Sequence, residues 1–356
     1  MTALYSLYRP HTFDEVVGQN YVVFTLVGAL KKDSINHAYL FTGPRGSGKT
    51  TVARILAASV NCKSDSIACG KCESCLAIQN GSYQDVVEID AASNRGINDI
   101  RNLKERINYM PVDGKYKVFI IDEAHQLTTE ASNAFLKTLE EPPSHIIFIL
   151  CTTEPQKIIP TIRSRCQIHQ FHSVSDKIIQ SHLKKVAGLE NESLPDNTLE
   201  LIAMQAKGSV RDALSLLDVV MGLEDRNIER VREILGKATF TIVGDFISCL
   251  CERDVKKSLT FIENLYGEQT TNLLVFREDV VAWLRGLMLI TAGVKYSHPM
   301  LDRMQDQALD FKLRDLMVCM DAFTNKEDRY SPYVPQLILE LPALNAIENM
   351  NPRQDF

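Results

Sequence analysis

In the first half of the chain, short apolar runs alternate with longer stretches whose apolar residues return every third or fourth position. The runs Ala38-Tyr39-Leu40-Phe41 and Ile146 to Leu150 read as buried strands, and Asp85 to Asp90, Lys117 to Ile121 and Gln167 to Phe171 as further strands. Between them, Tyr21 to Lys31 places Val22, Leu26 and Leu30 on one helical face, and Thr51 to Ser59 does the same with Val52, Ile55 and Leu56. Ile97 to Tyr109 repeats the pattern with Ile100, Leu103 and Ile107, and a helix capped by Thr128 or Thr129 turns Phe135, Leu136 and Leu139 inward. Pro111 and the pair Pro142-Pro143 stop the preceding helices. Five short strands alternating with helices predict an α/β unit whose parallel sheet is covered on both faces. Ahead of it, Tyr8-Arg9-Pro10 to Phe13 reads locally as a strand-like arm, followed by a turn that Asp14 can cap.

After the polar linker His172 to Asp176 the pattern is almost entirely helical. Helices are expected over Asp176 to Val186 and Asn197 to Ala206. A third is opened by Ser209 as cap, with Asp212 three residues on and Ala213, Leu214 and Leu217 inward. Further helical stretches run over Phe246 to Leu250, Leu259 to Leu265, Leu273 to Ile290, Leu309 to Phe323 and Leu337 to Asn349. The domains expected from these shifts are 1–171, 172–236 and 237–356.

Composition changes this picture little. The chain is 45% hydrophobic and 24% charged with a net charge of -6, so any nucleic-acid contact must come from a local patch. There is no apolar run long enough for a membrane span and no basic-then-apolar leader at Met1 to Tyr5, which makes the expected compartment cytoplasmic.

The chemistry begins at Gly43-Pro44-Arg45-Gly46-Ser47-Gly48-Lys49-Thr50, between the first strand and its helix. This is the G-x-x-x-x-G-K-[ST] spacing of a phosphate-binding loop. Its glycines let backbone N–H groups, through Thr51, close around phosphate oxygens, and the helix N-terminus adds partial positive charge. Lys49 would reach the terminal phosphates and the Thr50 hydroxyl would hold Mg²⁺. About 70 residues on, the apolar run ending in Asp122-Glu123 is the partner such a loop needs: Asp122 for Mg²⁺ through water, Glu123 to polarise the attacking water. Thr152 and Thr153, at the tip of the following strand, are polar groups placed to sense the terminal phosphate, or else a simple strand cap. His125 reads as a structural neighbour.

Nine cysteines are many for a cytoplasmic chain, and Cys62, Cys69, Cys72 and Cys75 stand in a C-x6-C-x2-C-x2-C cluster. Four thiolates in a short loop suit tetrahedral Zn²⁺ in a closed, structural site; an iron–sulfur cluster is the other metal option.

Taken in order, these residues resemble AAA+ ATPases, and more narrowly the gamma/tau subunits of the bacterial DNA polymerase III clamp loader. The resemblance rests on Tyr8-Arg9-Pro10 through Val17-Gly18-Gln19, the phosphate-binding loop, the four-cysteine module at 62–75, and Glu88-Ile89-Asp90-Ala91-Ala92-Ser93. It continues through Ile121-Asp122-Glu123-Ala124-His125, Leu136 to Pro143, Thr152 to Lys157, Ser164-Arg165-Cys166 and Gly208 to Leu214. Ala124 departs from the valine of many relatives.

The resemblance implies an AAA+ domain, a helical lid and a helical collar that closes an open ring of five subunits. It implies ATP as ligand, Thr153 (with Thr152 as alternate) as first sensor, and Arg165 as a finger acting in trans on a neighbour's ATP. Arg211 would act from the lid on its own nucleotide. Tyr8, Arg9 and Val17 would pack on adenine. Implied partners are delta- and delta-prime-type subunits, further copies of this chain, a sliding clamp and primer-template DNA. Asn94, Arg95, Gly96 and Arg101 are candidate DNA contacts, or else part of a solvated loop. A chain ending after the collar corresponds to a short, gamma-like form. A subunit that binds ATP without turning it over and a branch-migration motor are the competing readings. Intact Lys49, Thr50, Asp122 and Glu123 argue against the first, and the cysteine module with Ser164-Arg165-Cys166 against the second.

Overall fold

The computed structural model describes residues 3–64, 66–93, 107, 109–223, 231, 237–267, 273–298, 300–325 and 334–350. Most of the helix expected over 97–109 and the candidate DNA contacts Asn94, Arg95, Gly96 and Arg101 lie outside them. The chain divides into two compact units, Met1–Arg226 and Asn227–Phe356.

The first unit is built on five parallel strands, β1 (Ala38–Thr42), β2 (Val86–Asp90), β3 (Lys117–Asp122), β4 (Ile146–Thr152) and β5 (Gln167–Gln170), in the order β2-β3-β4-β1-β5. Alternate residues of the central strands enter different cores, which is why their sequences are apolar throughout. Val118, Ile120, Ile147 and Ile149 pack with α2 (Asn20–Lys31) and α3 (Lys49–Val60) on one face. Phe119, Ile121, Phe148 and Leu150 pack with Phe135 and Leu139 of α5 (Thr129–Glu140) and Ile162 of α6 (Pro160–Arg163) on the other. Thr128 accepts the Ala131 N–H and so caps α5. Between α3 and β2, α4 (Glu73–Gln79) carries the end of the cysteine module.

The N-terminal arm is not a strand. Leu4–Leu7 forms a short helix, α1, and Phe13–Glu15 a 3₁₀ turn. Thr12 and Glu15 make a reciprocal capping box, and Glu15 also accepts the His11 N–H at 2.7 Å, so local side-chain bonds replace the ladder a strand would have needed. Residues beyond β5 form α7 (Asp176–Leu189), α8 (Asp196–Gln205) and α9 (Val210–Met221), with Ser209 accepting the Asp212 N–H at 3.2 Å as the spacing required.

The second unit is helical: α10 (Lys237–Glu252), α11 (Val255–Gly267), α12 (Leu273–Thr291), α13 (Leu301–Asp310), α14 (Leu313–Thr324) and α15 (Leu337–Asn349). The continuous helix expected from Leu309 to Phe323 is broken at Phe311 and Lys312, both extended, which lets the Phe311 ring enter the core. Buried Gln307 ties three helices together: its amide donates to Gly244 O at 2.7 Å and Ser248 Oγ at 2.8 Å while its oxygen accepts from Trp283 Nε1 at 2.9 Å. Among the described residues no helix is long and apolar enough to cross a membrane.

Candidate nucleotide site and cysteine cluster

The loop leaves the C-terminal end of β1, where Gly43 N–H still bonds to Thr152 O, and runs into the N-terminus of α3. Pro44 and Arg45 are exposed at its tip, while Ser47 and Lys49 are buried. The Ser47 hydroxyl ties back to Pro44 O at 2.8 Å. Lys49 Nζ donates to Gly43 O and Pro44 O at 2.9 Å each, so the ammonium lies within the loop and would exchange carbonyls for phosphate oxygens. Gly48 has φ +98 and a Cβ there would meet nothing within 4 Å, so the loop opens onto free space beside the helix N-terminus. These features fit a bound phosphate chain.

Thr50 Oγ1 donates to Asp122 Oδ2 at 2.9 Å, and Asp122 Oδ1 accepts the Glu123 N–H at 3.0 Å. Burial pushes the Asp122 carboxyl up, against the Thr50 hydroxyl and the Glu123 N–H, and burial pushes the Lys49 ammonium down. A buried ammonium on the loop and a half-buried carboxyl on the strand end make an environment that phosphate and Mg²⁺ would both stabilise. Thr50 and Asp122 are the residues able to hold the metal.

Glu123 leaves the strand in the left-handed conformation, φ 47 and ψ 45, which swings its side chain toward the tip of β4. Its Oε2 accepts from Thr153 Oγ1 at 3.1 Å and from Thr153 N at 3.4 Å. Thr152, by contrast, is fully buried and bonded to His125 and to the Glu154 N–H. Of the two threonines, Thr153 is the one facing the acid.

The arm and the helical segment after β5 close the other side. Arg9 and Thr51 line one small cavity with Arg54, Ile55 and Ile78. Burial depresses the Arg9 guanidinium; Arg54 and Arg211 add to this, and Glu88 and Asp122 oppose it. Arg54 is clamped by Glu88 through two bonds of 2.7 and 2.8 Å. Tyr8 donates its hydroxyl to Glu190 at 2.5 Å, Val17 is half-buried, and Arg211 lies over the Tyr5 ring at 4.9 Å. Two further residues hold the loop and were not singled out by motif reading. Gln19 donates to Ser47 O and His172 O and accepts the His172 N–H. Ser209 packs so closely on Gly46 (φ +72) that a Cβ there would fall 1.9 Å from its Oγ. The signals were present, Gln19 in Val17-Gly18-Gln19 and Ser209 as a helix cap, but neither is a chemical motif.

Arg165 is elsewhere. It donates to Thr161 O at 2.8 Å and pairs with Glu140 at 2.7 Å, on the segment between α6 and β5. Gln167 is level with Tyr39 and Gln170 with Thr42, so Arg165 precedes the start of β5 while the loop follows the end of β1. The four extended residues of β5, at about 3.3 Å each, lie between the two levels. Arg165 is thus at the opposite end of the sheet from its own loop.

The four cysteines converge. Cys62 follows α3, Cys69 lies in the turn, Cys72 caps α4 and Cys75 is in its first turn. All four Sγ atoms lie within 4.8 Å of one another, with Cys62–Cys72 and Cys69–Cys75 at 3.9 Å and Cys62–Cys75 at 3.8 Å. Ligand bonds of about 2.3 Å around one tetrahedral ion put sulfurs about 3.8 Å apart, whereas a disulfide needs about 2.05 Å. The set fits a single Zn²⁺. Hydrogen bonding from Ser64 holds the Cys69 thiol down to about 5, and burial raises that of Cys75.

A phosphate-binding loop at the end of β1, an inner strand of the sheet, an acidic strand end on β3 and a helical lid after the sheet define a P-loop ATPase fold of the AAA+ class. Residues 18–175 match the family described as DNA polymerase III, delta subunit, and residues 178–221 match the ATPase lid domain of the DNA polymerase III clamp loader subunit. The chain is 41% identical over 293 residues to DNA polymerase III subunit tau of Bacillus subtilis, covering 81% of this chain and 52% of that protein. To the gamma/tau subunit of Mycobacterium bovis it is 40% identical, covering 86% and 55%, and to subunit tau of Escherichia coli 37% identical, covering 87% and 48%. It spans about half the length of these curated relatives. The chain belongs to the gamma/tau subunit family of the bacterial DNA polymerase III clamp loader.

Proposed function

We propose that this chain is an ATPase subunit of a DNA polymerase III clamp loader, in which ATP binding and hydrolysis drive opening of a sliding clamp and its loading onto primed DNA in the cytoplasm. The observation that carries this is the paired geometry at the strand ends: Thr50 on Asp122 at 2.9 Å, and Glu123 held by Thr153 at 3.1 Å. A subunit that only binds nucleotide needs the first contact and has no use for the second.

Lys49 neutralises the β- and γ-phosphates, the loop N–H groups cradle them, and Thr50 and Asp122 hold Mg²⁺. Glu123 takes the proton of the attacking water. Arg165, remote from its own loop, serves the neighbour's ATP in a five-subunit ring with delta- and delta-prime-type subunits and other copies of this chain. Arg211 answers to the chain's own nucleotide. The working division is an AAA+ domain (1–171), a lid (172–236) and a collar (237–356). Exposed Leu313 and Met317, one turn apart on α14, give the collar an apolar surface suited to subunit contact. The four cysteines hold structural Zn²⁺.

The test is a pair of variants in the reconstituted complex. Lys49→Ala removes ATP binding and clamp loading together. Glu123→Gln keeps ATP binding and loses hydrolysis. Normal hydrolysis by Glu123→Gln would show that another group activates the water.

A further inference from the structure

The Glu123 carboxylate has a second tether that the proposed reaction does not use. His125 sits on the 3₁₀ turn Ala124–Gln126 directly after Glu123, with its side chain only 5% exposed. Its Nδ1 lies 3.3 Å from Glu123 Oε2 and 3.1 Å from Thr152 Oγ1; its Nε2 lies 3.3 Å from Glu154 Oε1 and 3.3 Å from the Gln126 amide nitrogen. Glu154 is in turn bonded to Lys157 at 2.9 Å.

Nδ1 is the ring atom hydrogen-bonded to Thr152 Oγ1, and it also lies within ion-pair distance of Glu123 Oε2. Nε2 is hydrogen-bonded with the Gln126 amide and within ion-pair distance of Glu154. With the Gln126 amide donating into Nε2, the ring proton is on Nδ1, between the Thr152 hydroxyl and the Glu123 carboxylate. Oε2 of Glu123, the oxygen beside Nδ1, is also the one that receives both Thr153 donors.

We infer that His125 is a positioning residue for Glu123: with Thr153 it pins Oε2, so that Oε1 is presented to the water in one fixed direction. Glu154 holds the far edge of the ring and Thr152 its near edge, which couples the acid to the tip of β4. The inference rests on the reading of Glu123 as the water-activating group, and its test separates the two.

The test is single-turnover ATP hydrolysis by the full chain in the reconstituted complex, with nucleotide affinity measured on each variant as the check of folding. His125→Ala should bind ATP with unchanged affinity and hydrolyse it roughly 10- to 100-fold more slowly, the scale on which small misplacement of a reacting group acts. His125→Asn, whose amide can donate where Nδ1 does, should recover most of that loss. Placed on Glu123→Gln, His125→Ala should have no further effect, because the residue it positions is already disabled.

Two outcomes overturn the inference: a His125→Ala rate within twofold of the unaltered chain, or an equal slowing of Glu123→Gln by the same change. If His125→Ala binds no nucleotide, His125→Asn decides alone: a rate no better than one-tenth of normal with full binding overturns the inference, and a near-normal rate supports it. Unimpaired hydrolysis by Glu123→Gln would instead remove the reading on which the inference stands.

Discussion

Thr50 on the first turn of α3 donates its hydroxyl to Asp122 at the end of β3, at 2.9 Å. The two residues are the proposed Mg²⁺ ligands, and their contact brings both oxygens to one place. Thr50→Val, which keeps the shape and removes the hydroxyl, should weaken Mg²⁺-dependent ATP binding about tenfold or more, read by nucleotide titration with and without Mg²⁺. Burial raises the Asp122 carboxyl, so protons compete for it at a higher pH than for an ordinary carboxylate. The cation needs the deprotonated form; Mg²⁺-dependent affinity should therefore fall as pH is lowered, and begin to fall above the usual carboxylate range. Full affinity in Thr50→Val would remove it from the metal site.

The cysteine cluster should hold one Zn²⁺ per chain. Elemental analysis of purified protein reads this directly, and Cys75→Ser should reduce bound metal to a small fraction while lowering the unfolding temperature. Chelation should loosen the 62–75 module and leave the phosphate-binding loop able to take nucleotide. Iron with visible absorbance, or no metal, would contradict the assignment.

Gly46 and Ser209 meet so closely that only a hydrogen fits between them, and Gly46 has φ +72. Gly46→Ala combines a steric collision with left-handed strain and should cost about 1–3 kcal/mol, measured by denaturant unfolding. Adding Ser209→Gly should recover part of that loss, since it removes the collision and leaves the strain. An unchanged unfolding curve for Gly46→Ala would mean that Ser209 is not seated on the loop.

Much of this was legible in the sequence, for identifiable reasons. The strands were readable because both faces of the sheet are buried, which makes Val118 to Ile121 apolar at every position. The Ser209 cap was readable because it is local, acting on a residue three positions away. The arm reads as strand-like because Tyr8-Arg9-Pro10 looks extended, but it has no ladder partner among the described residues; the turn expected at Asp14 is present, closed by the Thr12–Glu15 capping box. The break at Phe311 was hidden because the apolar pattern runs straight across it. Gln19, His125 and Glu140 could not be read from spacing, since their partners Ser47, Glu154 and Arg165 are set by the fold and carry no period. His125 read as a bland neighbour and turns out to contact the proposed base.

Arg165 and Arg211 should separate by context. Arg165 is paired with Glu140 at the end of the sheet remote from its own loop, so Arg165→Ala should bind ATP nearly normally as an isolated chain and lose hydrolysis only in the complex. The expected loss is on the order of 10³-fold at each interface affected. Arg211→Ala should weaken the response to nucleotide even in isolation. In a complex of defined order that mixes Arg165→Ala and Lys49→Ala subunits, only interfaces with an intact lysine facing an intact arginine should be active. Full hydrolysis at an interface without Arg165 would leave it a surface arginine.

The central claim is that this chain turns over ATP to do work on a clamp and DNA. Steady-state ATP hydrolysis by the complex reconstituted with its partner subunits tests it most directly, measured with and without sliding clamp and primed DNA. The account predicts that clamp and primed DNA together raise the rate and that Glu123→Gln in this chain removes the rise. A rate indifferent to clamp and DNA, or a rise that survives Glu123→Gln in every copy of this chain, would contradict it.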